Sequence, residues 1–122
     1  MNFQKNTSPL ESKYQRKLKK KLDSRETLYC FVKEAKAIRG IPDIIGVYNS
    51  VFFALEVKRN KAEASKRTGR IALQRYVMKQ MRNCGAFVAF IYPENEDEVL
   101  TALDKYAATC QCMHVAPSNF LE

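Results

Sequence analysis

With 122 residues and a net charge of +8, from 21 Lys and Arg against 13 Asp and Glu, the chain is expected to form one small, basic domain. Its 46% apolar content suits a globule with a single core and argues against wholesale disorder. No apolar run approaches the ~18 residues of a membrane helix, and the opening MNFQKNTSPLESKYQRK lacks an apolar signal-peptide core. The protein is therefore expected to stay in the compartment where it is made, away from membrane.

The cationic excess favours a polyanionic partner, through counterion release and electrostatic steering. An anionic membrane surface would call for the cations on one long amphipathic helix with an apolar opposite face, which the sequence does not offer. Nucleic acid is the better fit. The four cysteines are Cys30, Cys84, Cys110 and Cys112, and Cys-Gln-Cys lacks the CxxC spacing of a zinc site. Cys30 and Cys84 read as small core residues. His114 is the single histidine, so no Ser-His-Asp or Cys-His set can be built from side chains of the usual kind. No glycine-rich phosphate loop is present.

Along the chain, residues 1–8 are polar and expected to fray. Ser8-Pro9 followed by Glu11 marks a helix start: a cap residue, a first-turn proline and an acid at the positive end of the dipole. Leu10, Tyr14, Leu18 and Leu22 fall on one face. Lys13, Arg16, Lys17, Lys19, Lys20 and Lys21 cover most of the remainder. Charge runs are ordinarily solvated faces, but six cations within nine residues favour phosphate contact. Residues 27–37, TLYCFVKEAKA, read as a strand with a polar exit. Ile38-Arg39-Gly40 reads as a turn, and Pro42 keeps Ile41 out of helical geometry. Two apolar runs flank Asn49-Ser50, a two-residue hairpin connection weaker than Asn-Gly. Residues 59–70 read as a basic loop.

Helix signals resume at Ile71 and run to Asn83-Cys84-Gly85. Ala86 to Tyr92 is a buried strand stopped by Pro93. Asn95 is expected to cap a last helix whose first turn is Glu96-Asp97-Glu98, with Val99, Leu100, Leu103 and Tyr106 on its stripe. A short strand around Met113-His114-Val115 is faintly signalled. The order helix, strand, strand, strand, helix, strand, helix predicts an α/β domain, a small mixed sheet flanked by helices.

The hairpin turn fixes a register. If Asn49-Ser50 is the turn, Tyr48 faces Val51, Val47 faces Phe52, and further along Asp43 faces Glu56. Directly opposed residues hold their Cβ atoms roughly 5 Å apart, and Lys58 shares a face with Glu56. Two carboxylates and one ammonium then cluster at one end of the sheet, with one negative charge left over. A divalent cation of the Mg²⁺ kind, which takes one or two carboxylates plus phosphate and water, would balance them. Any one of the three residues alone reads as a charge leaving the core at a strand end. The three together on one face of a basic chain point to a site. Glu11 is either a first-turn acid serving the dipole or a member of that site. Gln74 lies among Ile71, Val77, Met78 and Met81 on the inward side of its helix, as a satisfied core amide or a site residue.

Pro42-Asp43, twelve residues, then Glu56-Val57-Lys58 resembles the PD-(D/E)XK signature of restriction-endonuclease-like nucleases. Gly40-Ile41-Pro42-Asp43-Ile44-Ile45 with Leu55-Glu56-Val57-Lys58, a helical Gln74 downstream and Glu11 upstream is similar to the VRR-NUC branch. The likeness spans about residues 10–92 and implies a restriction-endonuclease-like core. It also implies a homodimer acting on branched DNA, like a Holliday-junction resolvase, in the cytoplasm of a bacterial or phage-infected cell. The implied chemistry is Mg²⁺- or Mn²⁺-assisted phosphodiester hydrolysis.

In that reading Asp43, Glu56 and the Val57 backbone carbonyl hold the metal, and Glu11 completes the set. Lys58 orients water and stabilises developing charge, while Gln74 holds Lys58, the water or a phosphate. Lys13, Arg16, Lys17, Lys20, Arg39, Arg59, Lys61, Lys66, Arg67 and Arg70 would grip the flanking backbone with little sequence readout. Apolar residues of the last helix and of the strand near Phe87 are the candidate dimer contacts. The rival readings are a non-catalytic nucleic-acid-binding module, which leaves the opposed acids unexplained, and a metal-free adaptor whose acids form surface salt bridges.

Overall fold

The computed structural model describes residues 9–33, 40–67 and 69–109. Helix α1 (Pro9–Asp23) leads into three antiparallel strands, β1 (Leu28–Val32), β2 (Ile44–Tyr48) and β3 (Val51–Val57). A short helix α2 (Lys61–Ala64) and a long one, α3 (Gly69–Asn83), carry the chain over to β4 (Phe87–Ile91), which runs parallel to β3. Helix α4 (Glu96–Thr109) follows. The sheet order is β1-β2-β3-β4. This is the mixed sheet expected from sequence, with the crossover helix that a parallel pair requires.

Alternation along β3 sorts the two layers. Phe53, Leu55 and Val57 face the main core, joined by Leu18 and Leu22 of α1 and by Leu100 and Leu103 of α4. Glu56 faces the other way, where Gln74 of α3 meets it. The apolar stripe of α1 is thus used from Tyr14 to Leu22, whereas Leu10 in the first turn is 70% exposed.

The hairpin forms where expected. Asn49 (φ 49°) and Ser50 (φ 70°) both adopt the left-handed region, as a two-residue turn matched to strand twist requires. The register follows: Tyr48 pairs Val51, and Ile44 pairs Leu55. Gly46 in the middle of β2 is required sterically, since a Cβ there would lie 2.5 Å from the Tyr29 carbonyl oxygen and 2.8 Å from the Phe53 ring.

Three local expectations are corrected. The segment 59–70 is not all loop: Asn60 accepts a hydrogen bond from the Glu63 N–H at 2.9 Å and starts α2, and α3 begins at Gly69 rather than Ile71. β1 takes Leu28–Val32 of the segment read as a strand with a polar exit, and residues 34–39, including Arg39, lie outside the described residues. Cys84 is exposed, not core, because the chain has already left α3 for the turn at Gly85. Asn95 sits at the head of α4, its carbonyl accepting from Val99. Its side chain turns backward, accepting from the Tyr92 N–H and donating to the Phe90 carbonyl. Residues 1–8, the strand expected around 113–115, Cys110, Cys112 and His114 fall outside the described residues.

No described helix is long and apolar enough to cross a membrane.

Candidate active site

Among the described residues, the buried polar and charged side chains are Asp43 (4% exposed), Glu56 (0%), Lys58 (5%) and Gln74 (2%). They belong to one cluster. β3 delivers Glu56 and Lys58, β2's entrance delivers Asp43, and the inward face of α3 delivers Gln74. The Asp43–Glu56 opposition lies one step beyond Ile44–Leu55, the last pair of the β2–β3 ladder. The Lys58 ammonium is 3.2 Å from Glu56 Oε2, and the Gln74 side-chain amide donates to the same oxygen at 3.0 Å. The Asp43 carboxylate accepts the Val57 N–H through Oδ2 at 3.0 Å, which fastens the start of β2 to the end of β3. Lys58 also stands over the Phe90 ring, 6.0 Å from its centroid.

Burying ions costs several kcal/mol each before any pairing repays it. Two carboxylates and the Lys58 ammonium are buried together here, Lys58 pairing with Glu56, an arrangement that costs stability and is the usual mark of a functional site. Gln74 Oε1 is buried and accepts no hydrogen bond. A buried oxygen beside two carboxylates is a hard-donor environment, fitting a divalent cation with bound water better than a lone apolar core would.

The structure gathers Asp43, Glu56, Lys58 and Gln74, with Val57 fully buried between its two charged neighbours. Gln74 donates to Glu56, where Lys58, the water or a phosphate was the partner expected from sequence. Glu11 sits in the first turn of α1, half-buried, and among the described residues no three of His, Cys, Asp and Glu come together as metal ligands. Lys13, Arg16, Lys17 and Lys20 line the exposed side of α1, Arg59, Lys61, Lys66 and Arg67 are exposed between β3 and α3, and Arg70 is exposed in the first turn of α3. Two of these are partly neutralised: Glu63 pairs with Arg59 at 3.1 Å and with Lys66 at 3.2 Å. The hydrogen bond from Lys66, then that from Arg59, holds the Glu63 carboxyl below the ordinary range.

Arg75 was not anticipated. Its guanidinium donates to the Ala64 and Lys66 carbonyls at 2.6 and 2.7 Å and lies 4.9 Å from the Phe90 centroid. It therefore clamps the α2–α3 turn onto β4. The sequence carried no signal for it beyond its place next to Gln74. The cap of α2 was legible, since Asn60 followed three residues later by Glu63 is a helix-start pattern.

No protein-family profile matches the sequence, and no curated protein matches it significantly. A solved structure described as a VRR_NUC domain shares the fold, with a TM-score of 0.59, 18% identity, and coverage of 81% of this chain and 99% of that one. The architecture is thus that of a VRR_NUC domain.

Proposed function

We propose that the protein is an endonuclease that hydrolyses DNA phosphodiester bonds with Mg²⁺ or Mn²⁺, preferring branched DNA such as a four-way junction, and acting as a homodimer. The observation that carries this reading is the buried cluster itself, two acids at facing strand positions with the Lys58 ammonium 3.2 Å from Glu56 Oε2. The VRR_NUC fold and the +8 charge support a nucleic-acid substrate.

Asp43, Glu56 and the Val57 carbonyl are the residues that would hold the cation, with Glu11 as the further acid. What a bound divalent ion supplies is Lewis-acid activation of the phosphate and of the attacking water. The chain's own residues do the rest. Gln74 fixes the Glu56 carboxylate in place. Lys58 offsets the charge that builds on the phosphate oxygens in the transition state. The Val57 N–H keeps Asp43 aimed from the strand entrance. Burial of all four side chains strengthens each of these interactions by excluding solvent. Residues of the last helix and Phe87 are engaged within the chain, as Val99, Leu100 and Leu103 lie in the core and Phe87 packs on Tyr106. Exposed apolar side chains lie on the sheet at Tyr29, Phe31, Val47 and Phe52 as well as at Tyr106 of the last helix, and the sheet residues form the larger surface for self-association.

The test is cleavage of a four-way junction, a matched linear duplex and supercoiled plasmid in Mg²⁺, Mn²⁺ and EDTA. Metal-dependent products are expected, fastest on the junction, with Glu56→Gln slower by roughly 10²-fold or more. No product from the wild type, or unimpaired cleavage by Glu56→Gln, would leave a binding module. Equal rates on junction and duplex would remove the structural preference.

A further inference from the structure

Arg75, Lys79 and Arg82 follow one another on α3 at steps of four and three, so they share one face of the helix. With Met78 of α3 and Val88 and Phe90 of β4 they line a groove along the free edge of the sheet. α3 contains no acid, and among the described residues no ion pair engages Lys79 or Arg82. Arg75 is held rigidly at one end of the row by the Ala64 and Lys66 carbonyls. Phe90 joins the groove to the acidic cluster, because Arg75 lies 4.9 Å from its ring centroid and Lys58 lies 6.0 Å from the same point.

We infer that this groove is a second nucleic-acid contact, a track for the sugar-phosphate backbone of the strand that passes through the Asp43–Glu56 site. The inference rests on the nuclease reading for its substrate and deepens it. Arg75 positions the near end, and Lys79 and Arg82 contact successive phosphates. The row from Arg75 to Arg82 spans about 10 Å at ~1.5 Å per residue, the axial rise of about three phosphates in one strand of a duplex at ~3.4 Å each. Cations so spaced on a helix without acids suit a regular polyanion, and their link through Phe90 to Lys58 sets the direction in which that polyanion runs. The basic faces of α1 and of the 59–70 segment then hold a different part of the substrate.

The experiment is binding of fluorescently labelled four-way junction and linear duplex DNA by anisotropy, in EDTA, across a series of salt concentrations. The double variant Lys79→Ala/Arg82→Ala is expected to bind roughly tenfold more weakly. Its slope of log affinity on log salt should be shallower by about 2, close to 0.9 for each phosphate contact removed. The charge-conserving pair Lys79→Arg/Arg82→Lys should keep the wild-type slope, and Lys105→Ala on α4 should leave it unchanged. An unaltered slope in the double alanine variant, an equal loss in Lys105→Ala, or a wild type that binds no DNA in EDTA overturns the inference. The assay needs no catalysis, so the two readings fail separately. A wild type that cleaves nothing while its binding still depends on Lys79 and Arg82 would end the nuclease proposal and leave the groove standing.

Discussion

Glu56 is the residue on which the cluster turns: it is fully buried, and its Oε2 takes both the Gln74 amide and the Lys58 ammonium. Asp43 adds a second acidic side chain nearby, and its Oδ2 accepts the Val57 N–H. Removing that charge while keeping an oxygen acceptor should therefore relieve repulsion. In EDTA, Asp43→Asn should melt at the wild-type temperature or above it, by up to ~1 kcal/mol of added stability. Mg²⁺ or Mn²⁺ should stabilise the wild type more than the variant, by mass action on the folded state. A clear loss of stability in EDTA would instead make Asp43 a structural anchor for β3. At this scale the sequence was informative because the hairpin turn fixed which residues face each other. It could show that Gln74 points inward, but not that it holds Glu56, since that depends on how α3 is seated across the sheet.

Between elements, the hairpin and a peripheral pin do different work. Asn49-Ser50 set the β2–β3 register, and that register was readable from the chain because the two polar residues between the apolar runs mark the turn from which the pairing is counted. The pin was not readable. Arg25, after α1, donates to both oxygens of Asp104 on α4 at 2.7 and 3.0 Å, and the Tyr48 hydroxyl donates to Asp104 Oδ1 at 2.8 Å. Residues so far apart in sequence give no local pattern, and only the stacking of α4 beside α1 brings them together. The Arg25 hydrogen bond is the largest influence on Asp104 and, with Tyr48, keeps its carboxyl below the usual value, against the pull of burial. A folded-state value below the unfolded one adds stability that is present above the unfolded pKa of about 3.9 and lost as pH falls through the lowered value. Asp104→Asn should thus cost about 0.5–1 kcal/mol at neutral pH in denaturant melts, a modest figure for a half-exposed pair. The gap should shrink as the pH drops below about 4. A gap that persists at low pH would mean that Asp104 contributes by packing, not charge.

Across the whole molecule, the order of elements was legible from apolar spacing together with the turn residues between elements, such as Gly40, Pro42, Asn49-Ser50, Gly85 and Pro93. The exceptions were α2, too short to show a period, and the exposed Cys84, read as internal because a free thiol ordinarily behaves as a small core residue. The net charge pointed to a polyanion, but not to where it binds. Lys19, Lys21, Arg25, Arg59 and Lys66 are engaged with acids, whereas the α3 row of Arg75, Lys79 and Arg82 faces a groove that only tertiary structure creates. What the entire account depends on is that facing strands seat a divalent ion between Asp43 and Glu56. Calorimetric titration of Mn²⁺ into the metal-free protein tests this most directly. A saturable site is expected in the wild type, weakened roughly tenfold or more in Glu56→Gln. Wild type that takes up no Mn²⁺, or a variant that binds it equally well, would contradict the account.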